Sequence, residues 1–209
     1  MKTNRRYFGL DKNIFFTGLT SFFTDTSSKM VYSVMPLFLL SIGATKTQLS
    51  LIEGIAESTA SLLKAVSGFW SDKIGKNKPF MIIGYAATAL VTPLYSYVVH
   101  PMQVLVFRFL ERVGKGIRTA PRDSLVAASS PKNETGKSFG FHKAMDNSGA
   151  IIGPLIAAAV LFFLPKDNPG FQYKTIFWLA AIPAVVGVFV LIFLVKDVKV
   201  QSVSAKTPV

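Results

Sequence analysis

Residues 68–78 read GFWSDKIGKNK and lie between two long apolar segments. Gly68 lets two helices approach closely, whereas Asp72 can accept hydrogen bonds at a helix end or pair with a cation. Gly75 permits a tight reversal of the chain. The stretch also contains three lysines that suit lipid headgroups: Lys73, Lys76 and Lys78. The lysines alone favour a plain hairpin on the positively charged side of a membrane protein.

The composition around this stretch is typical of a membrane protein. Half of the 209 residues are hydrophobic and 16% are charged, whereas about a quarter are charged in soluble domains. The net charge of +12 lies mostly in short loops and at the ends of apolar segments. We therefore predict the lipid bilayer, and no nucleic acid, as the partner of the basic residues. The absence of Cys excludes disulfides, thiolate metal sites and a cysteine nucleophile.

The apolar segments predict an all-α membrane bundle with six spans. We place the spans at residues 14–40, 49–70, 79–99, 102–128, 139–164 and 175–195. Residues 1–13 would form an N-terminal tail and residues 165–174 a loop. Residues 196–209 would form a disordered tail or the start of an interdomain loop.

The distribution of basic residues predicts the orientation. One set of loops and tails holds most of the Lys and Arg residues outside the spans, whereas the opposite set holds only Lys46, Lys166 and Lys174. This asymmetry predicts a multi-pass protein of the cytoplasmic membrane with both termini in the cytoplasm.

The fourth span contains a basic face within residues 108–123, RFLERVGKGIRTAPRD. Its cationic residues recur at intervals of four, three, three and four, which places them on one side of a helix: Arg108, Arg112, Lys115, Arg118 and Arg122. Arg112 would lie roughly 15 Å into the membrane. We expect Arg118 and Arg122 nearer the surface, where they would serve topology or contact headgroups.

Two roles remain open for Arg108 and Arg112. They could bind substrate or couple transport, since charges inside a membrane are costly and usually functional. They could instead form a static cluster with carboxylates of other spans. The candidate members of this site are Asp25, Lys29, Glu53, Glu57 and Glu111. Glu111 could neutralise one arginine, Asp25 could pair with Lys29 one turn away, and Asp25 is the preferred coupling residue of the first span.

The fifth span contains two further patterns. His142 and Asp146 lie one turn apart and could share a proton. The favoured alternative is a purely structural role, in which Asp146 holds His142. Gly149 and Gly153 form a small-residue face for close helix packing.

Two apparent motifs are decoys. Gly136-Lys137-Ser138 ends like a phosphate-binding loop, but Pro131 stands where that loop needs Gly. The sequon at Asn133 falls on the predicted cytoplasmic side. No metal-ligand cluster or catalytic triad has usable spacing, so we predict neither an enzyme nor a cofactor.

Three motifs resemble those of the major facilitator superfamily. Gly68-x-x-x-Asp72-Lys73-x-Gly75-Lys76 resembles its signature loop between spans two and three. Arg112-x-x-x-Gly116-x-x-x-Ala120 resembles its fourth-span motif, with Lys115 where Gln is common. Gly149-x-x-x-Gly153-Pro154 resembles the fifth-span motif associated with antiporters.

The resemblance implies a secondary transporter in which two six-helix bundles enclose a midplane site for a small solute. It also implies that an ion or proton gradient drives transport, that Asp72 belongs to a cytoplasmic latch, and that Arg112 neighbours the coupling or substrate machinery.

The chain has six predicted spans where twelve are usual, so it resembles an N-terminal half. We expect a piece of a longer transporter, and the alternative is a natural half that forms a homodimer. In either case the partner is a second six-helix half. The competing function is a transport-incompetent membrane module, such as a scaffold or folding unit.

Overall fold

The computed structural model describes residues 6–131, 133–165 and 167–198, without the side chains of Arg6, Ser71 and Asp72. In this part of the chain, six long helices form one bundle, which confirms the predicted all-α fold. They are α1 Lys12–Ser41, α2 Lys46–Ile74, α3 Lys78–Leu94, α4 Pro101–Ser129, α5 Thr135–Phe163 and α6 Pro169–Leu194. A 3₁₀ turn, Tyr95–Tyr97, extends α3.

The helices pack in the order α2–α4–α3–α6–α1–α5, because each helix in this series makes its extended contacts with the next one. α2 and α5 therefore form the two ends of an open ring. α1 and α4 line its inner side, where α1 contacts α4 only locally.

Glycines allow the closest contacts between helices. A Cβ atom at Gly149 would lie 2.5 Å from the Phe22 carbonyl oxygen, and one at Gly153 equally close to the Thr26 carbonyl oxygen. This geometry confirms the predicted packing face, which joins α5 to α1. Pro154 follows within α5, which continues to Phe163.

The outer surface is apolar, as expected next to lipid. Three helices have the length and hydropathy of membrane spans by themselves: Lys78–Tyr97, Thr135–Phe163 and Pro169–Leu194. The other three, α1, α2 and α4, are 29 or 30 residues long and contain the charged residues of the inner side. Large apolar side chains such as Trp178, Ile182 and Phe189 are exposed on α6.

The N-terminal residues differ from the predicted polar tail. Residues 6–11 form a short antiparallel hairpin that pairs Arg6–Tyr7 with Leu10–Asp11. Its turn residues Phe8 and Gly9 both have positive φ angles, as two-residue hairpins require. Asp11 then caps α1 by accepting a 2.8 Å hydrogen bond from the Asn13 amide.

The predicted loop at residues 165–174 is also partly wrong, because α6 already begins at Pro169. The Asn168 side chain caps this helix through a 3.0 Å bond from the Phe171 amide, and proline suits the first helical position. Hydropathy marks only the apolar part of a helix, so it missed this polar first turn. The same reason explains why α5 begins before residue 139.

Residues 195–197 form what we call the C-terminal clasp, which contradicts a disordered tail beginning at residue 196. The Lys196 backbone exchanges two 3.0 Å hydrogen bonds with the Asn13 side chain. Asp197 accepts hydrogen bonds from the amides of Asn77 and Lys78 at 3.2 and 3.4 Å. Lys78 Nζ donates to the carbonyl oxygen of Val195 at 2.7 Å. The clasp thus joins the beginning of α1, the α2–α3 turn and the end of α6; residues 199–209 lie outside the described part.

Candidate functional site

A buried arginine lies at the centre of the inner side. Arg108 on α4 is 1% exposed and donates to both carboxylate oxygens of Glu53 on α2, each at 2.8 Å from Nη2. Its Nη1 donates to Glu111 Oε2 at 3.0 Å, and this carboxylate also accepts from the Tyr95 hydroxyl at 3.2 Å. Glu111 therefore neutralises Arg108 as predicted, and the pairing between Arg108 and Glu53 holds α4 against α2.

Arg112, one turn further along α4, has a weaker partner. Its Nη1 lies 3.5 Å from Glu57 Oε2, and the Glu57 side chain is 63% exposed. Arg112 Nε is buried and has no hydrogen-bond partner in the described residues. The two arginines therefore differ: Arg108 is bound by two carboxylates, whereas Arg112 keeps a free donor.

Tyr32 on α1 faces these cations, and sequence reasoning missed it. The Cζ atoms of Arg108 and Arg112 lie 4.9 and 6.0 Å from its ring centroid, and Lys29 Nζ lies 5.3 Å away. Such contacts stabilise a cation through the quadrupole of the ring. The available signal was its position three residues after Lys29, which puts both on one helix face.

The expected pair between Asp25 and Lys29 is wrong. These side chains make no ion pair within 4.0 Å in the described part of the chain, because Lys29 lies against the Tyr32 ring instead. Asp25 faces the space between α1 and α4. It makes no ion pair with Arg108 among the described residues, although it was a candidate member of a static cluster with the arginines.

A small cavity of about 40 Å³ lies between α1 and α4. This volume holds little more than a water molecule or a single polar group. It is lined by Asp25, Ser28, Lys29, Tyr32, Arg108, Glu111, Arg112, Lys115 and Arg118. The cavity thus gathers most of the charged residues that the sequence singled out in α1 and α4.

Arg118 is buried and Arg122 is mostly buried, and both bind protein groups where contacts with headgroups were predicted. Arg118 is buried, donates to Thr88 Oγ1 at 2.8 Å and stacks 4.4 Å above the Tyr85 ring centroid. Arg122 binds Asp123 at 2.9 Å and lies 3.6 Å from Asp146. Acceptors on α3 and α5 make the interior more favourable than snorkelling, and residue spacing in α4 cannot reveal them.

His142 and Asp146 belong to a network that extends beyond α5. His142 Nδ1 lies 3.6 Å from Asp146 Oδ2, as their spacing predicted. The other ring nitrogen, Nε2, lies 3.0 Å from Ser21 Oγ, which in turn is 2.9 Å from the Tyr85 hydroxyl. Ser21 and Tyr85 were missed, although Ser21 lies one turn before Asp25 on the same face of α1.

The motif residues of α2 and α4 have visible packing roles. A Cβ atom at Gly116 would lie 2.6 Å from Leu63 Cβ, and one at Gly68 would lie 3.1 Å from Ala120 Cβ. Ser67 Oγ donates to the Gly116 carbonyl oxygen at 2.8 Å. These contacts let α2 and α4 approach closely enough for Glu53 to reach Arg108.

The turn after α2 has the predicted reversal. Gly75 follows the end of the helix with φ +68°, a conformation that glycine adopts without strain. Lys73 and Lys76 on either side of it are exposed. The Asp72 side chain lies outside the described residues, so its predicted latch role is carried forward as a proposal.

Comparison with known proteins gives a family and a fold. The sequence profile described as Major Facilitator Superfamily matches residues 17–208. An uncharacterised MFS-type transporter of Methanocaldococcus jannaschii is 36% identical over 163 residues, which are 78% of this chain and 41% of that protein. A multidrug resistance efflux pump PmrA homologue of Lactococcus lactis is 26% identical over 150 residues, which are 70% of this chain and 37% of the pump.

Solved structures share the arrangement of the helices. A POT family transporter bound to a thioalcohol-conjugated peptide superposes with a TM-score of 0.79 at 17% identity, over 91% of this chain and 39% of that one. The proton:xylose symporter XylE superposes with a TM-score of 0.69 at 14% identity, over 87% of this chain and 44% of that one. The chain spans about two fifths of the length of the curated relatives described above.

Proposed function

Because the chain belongs to the major facilitator superfamily, we propose that it forms the N-terminal half of a secondary active transporter for a small solute. The transporter lies in the cytoplasmic membrane with both termini in the cytoplasm, and an ion or proton gradient drives it. The observation that carries this proposal is the contact of buried Arg108 with Glu53, whose side chain is 28% exposed. A buried charge thus has a partner that solvent, solute or a second half can reach.

This contact suits a step that alternates between two states. Removing one member of a buried ion pair costs about 3–5 kcal/mol, because the other charge is left without compensation. A proton or a solute that binds Glu53 would compete directly with Arg108. Its binding would therefore be linked to the distance between α2 and α4, which is the linkage that coupled transport requires.

The other charged residues have supporting roles in this proposal. Arg112 and Glu57, with the weaker contact, lie where a solute or a proton could replace one partner. Asp25 and Lys29 contribute a coupling carboxylate and a cation on α1. His142 and Asp146 form a proton relay, and Asp72 with Lys73 and Lys76 forms the latch on the cytoplasmic side.

We further propose that a second six-helix half covers the open side of the ring. α2 and α5, which end the series of contacts, expose small residues that allow close helix packing. These residues are Gly54, Ser58, Ser61 and Ala65 on α2 and Gly140 and Ala144 on α5. The second half is either joined covalently or supplied by another copy, and the chain alone would not transport. The named activity of the L. lactis relative favours efflux.

Solute-induced proton flux tests the proposal. The complete transporter is placed in proteoliposomes with an internal pH dye, and a panel of small solutes is added outside. We expect at least one solute to change the internal pH, Glu53→Gln to abolish the response, and Lys174→Gln on exposed α6 surface to keep it. A full response of Glu53→Gln would contradict the role of the contact with Arg108.

A further inference from the structure

We propose that the cavity between α1 and α4 binds an anionic group, such as a carboxylate or phosphate. This inference rests on the proposed function, because it names the charge class of the solute at that same site. Five cationic side chains line the cavity, against two acidic ones. Glu53 and Glu57 contact two of the cations from α2, so the local charge still has a positive excess.

The excess becomes clearer when each cation is assigned its partner. Arg108 is compensated by Glu53 and Glu111. Within the described residues, Arg118 donates hydrogen bonds only to neutral groups, namely Thr88 Oγ1 and the Gly84 carbonyl oxygen.

Lys29 and Lys115 make no ion pair within 4.0 Å in the described ranges. Among the residues that line the cavity, the acid that remains for Lys29, Lys115 and Arg118 is Asp25.

Arg112 adds a donor that has no partner. Its side chain is 12% exposed, and its Nε is buried without an acceptor in the described part of the molecule. A buried unsatisfied donor costs about 1–3 kcal/mol, and more when it is charged. An anionic oxygen would satisfy this donor and neutralise the excess charge in one step.

The size of the cavity limits what enters it. A volume of about 40 Å³ accommodates one charged group and no complete solute. The anionic end would therefore lie between Arg112 and Lys115, with the rest of the solute towards the open side of the ring. Tyr32 is a positioning residue in this arrangement, since its ring holds Lys29 and the guanidinium of Arg112 nearby.

The 209-residue chain contains no Cys, which permits a direct electrostatic test. The variant Ser28→Cys introduces one thiol at a residue that lines the cavity. The change is nearly isosteric. The matched control is Ser148→Cys on α5, which is partly buried like Ser28 but does not line the cavity. Both variants, in nanodiscs of uncharged phosphatidylcholine, react with a negatively charged sulfonatoethyl or a positively charged trimethylammonioethyl methanethiosulfonate. The ratio of the two rates reports the local potential and cancels the intrinsic reactivity of each thiol.

We expect the ratio to favour the anionic reagent about tenfold more at Ser28→Cys than at Ser148→Cys. That preference corresponds to one uncompensated charge at about 6 Å in a water-like dielectric. Adding Lys115→Gln should return the ratio close to the control value. Equal ratios at the two positions would overturn the proposal.

Added anionic phosphatidylglycerol distinguishes two sources of the anion. If it lowers the rate of the anionic reagent only at Ser28→Cys, a lipid headgroup occupies the site. If it has no effect, the site is open to a free anion from water. Equal ratios together with intact solute-induced proton flux would reject the anion site and retain the transporter. If the ratio still favours the anionic reagent at Ser28→Cys but no solute changes the internal pH, the anion site is retained and the transporter proposal is rejected.

Discussion

The bond between Arg108 and Glu53 should contribute measurably to stability, and its neighbour provides an internal standard. We consider Arg108→Gln, Glu53→Gln and the double variant. Arg108→Gln removes a guanidinium that makes four hydrogen bonds to Glu53 and Glu111, and it leaves the buried Glu111 charge with only the Tyr95 hydroxyl. The expected loss is about 3–5 kcal/mol of unfolding free energy.

Glu53→Gln should cost less than Arg108→Gln. The Glu53 side chain is partly exposed, so solvent screens part of the interaction, and Arg108 keeps Glu111. We expect a loss of about 1–3 kcal/mol. The double variant should lose less than the two single losses combined, which gives a coupling energy of about 1–2 kcal/mol.

The control is the same cycle at Arg112 and Glu57. Their 3.5 Å contact involves an exposed carboxylate, so its coupling energy should be about 0–1 kcal/mol. Reversible unfolding of the purified protein in mixed micelles, followed by circular dichroism, gives the free energies. Equal coupling in both cycles, or none between Arg108 and Glu53, would refute the distinction between a structural bond and a loosely held pair.

Two other predictions concern packing and the clasp. Gly153→Leu should push α5 away from α1, since even a Cβ atom would lie 2.5 Å from the Thr26 carbonyl oxygen. Gly136→Leu in the first turn of α5, with open space around it, is the control. Melting temperatures compare the two, and an equal decrease would contradict the packing role. Asp197→Ala should release the amides of Asn77 and Lys78, so that their hydrogen exchange accelerates severalfold; unchanged exchange would show that the clasp does not protect them.

The number and type of helices followed from the sequence because hydropathy and length are local properties. The first and last residues of the helices did not follow from hydropathy and length. α6 starts at Pro169 through an Asn168 cap, within a stretch whose polar composition indicated a loop. The hairpin at residues 6–11 and the clasp at residues 195–197 were missed for a related reason. Both depend on hydrogen bonds or turn geometry that mean hydropathy does not register.

The sequence identified the residues of the site better than it identified the contacts among them. The intervals along α4 put Arg108, Arg112 and Arg118 on one face, and all three line the cavity. The position of Glu111 indicated that it could neutralise one of the two arginines, and the structure shows that this is Arg108. The choice of Glu53 rather than Asp25 as the second partner depends on how closely α2 approaches α4. Gly116 and Gly68 determine that approach through contacts between residues far apart in the chain.

The six-helix membrane bundle, the family motifs and the charged face of α4 can all be predicted from the order of the residues. These features depend on periodicity and composition, which act within one helix at a time. Which partners each cation has depends on tertiary contacts. Among the described residues, Arg108 has two carboxylates, Arg118 has only neutral acceptors, and Arg112 has one nitrogen without a partner. The reason is physical: compensation of a buried charge depends on partners within a few ångströms, and here most of them lie on other helices.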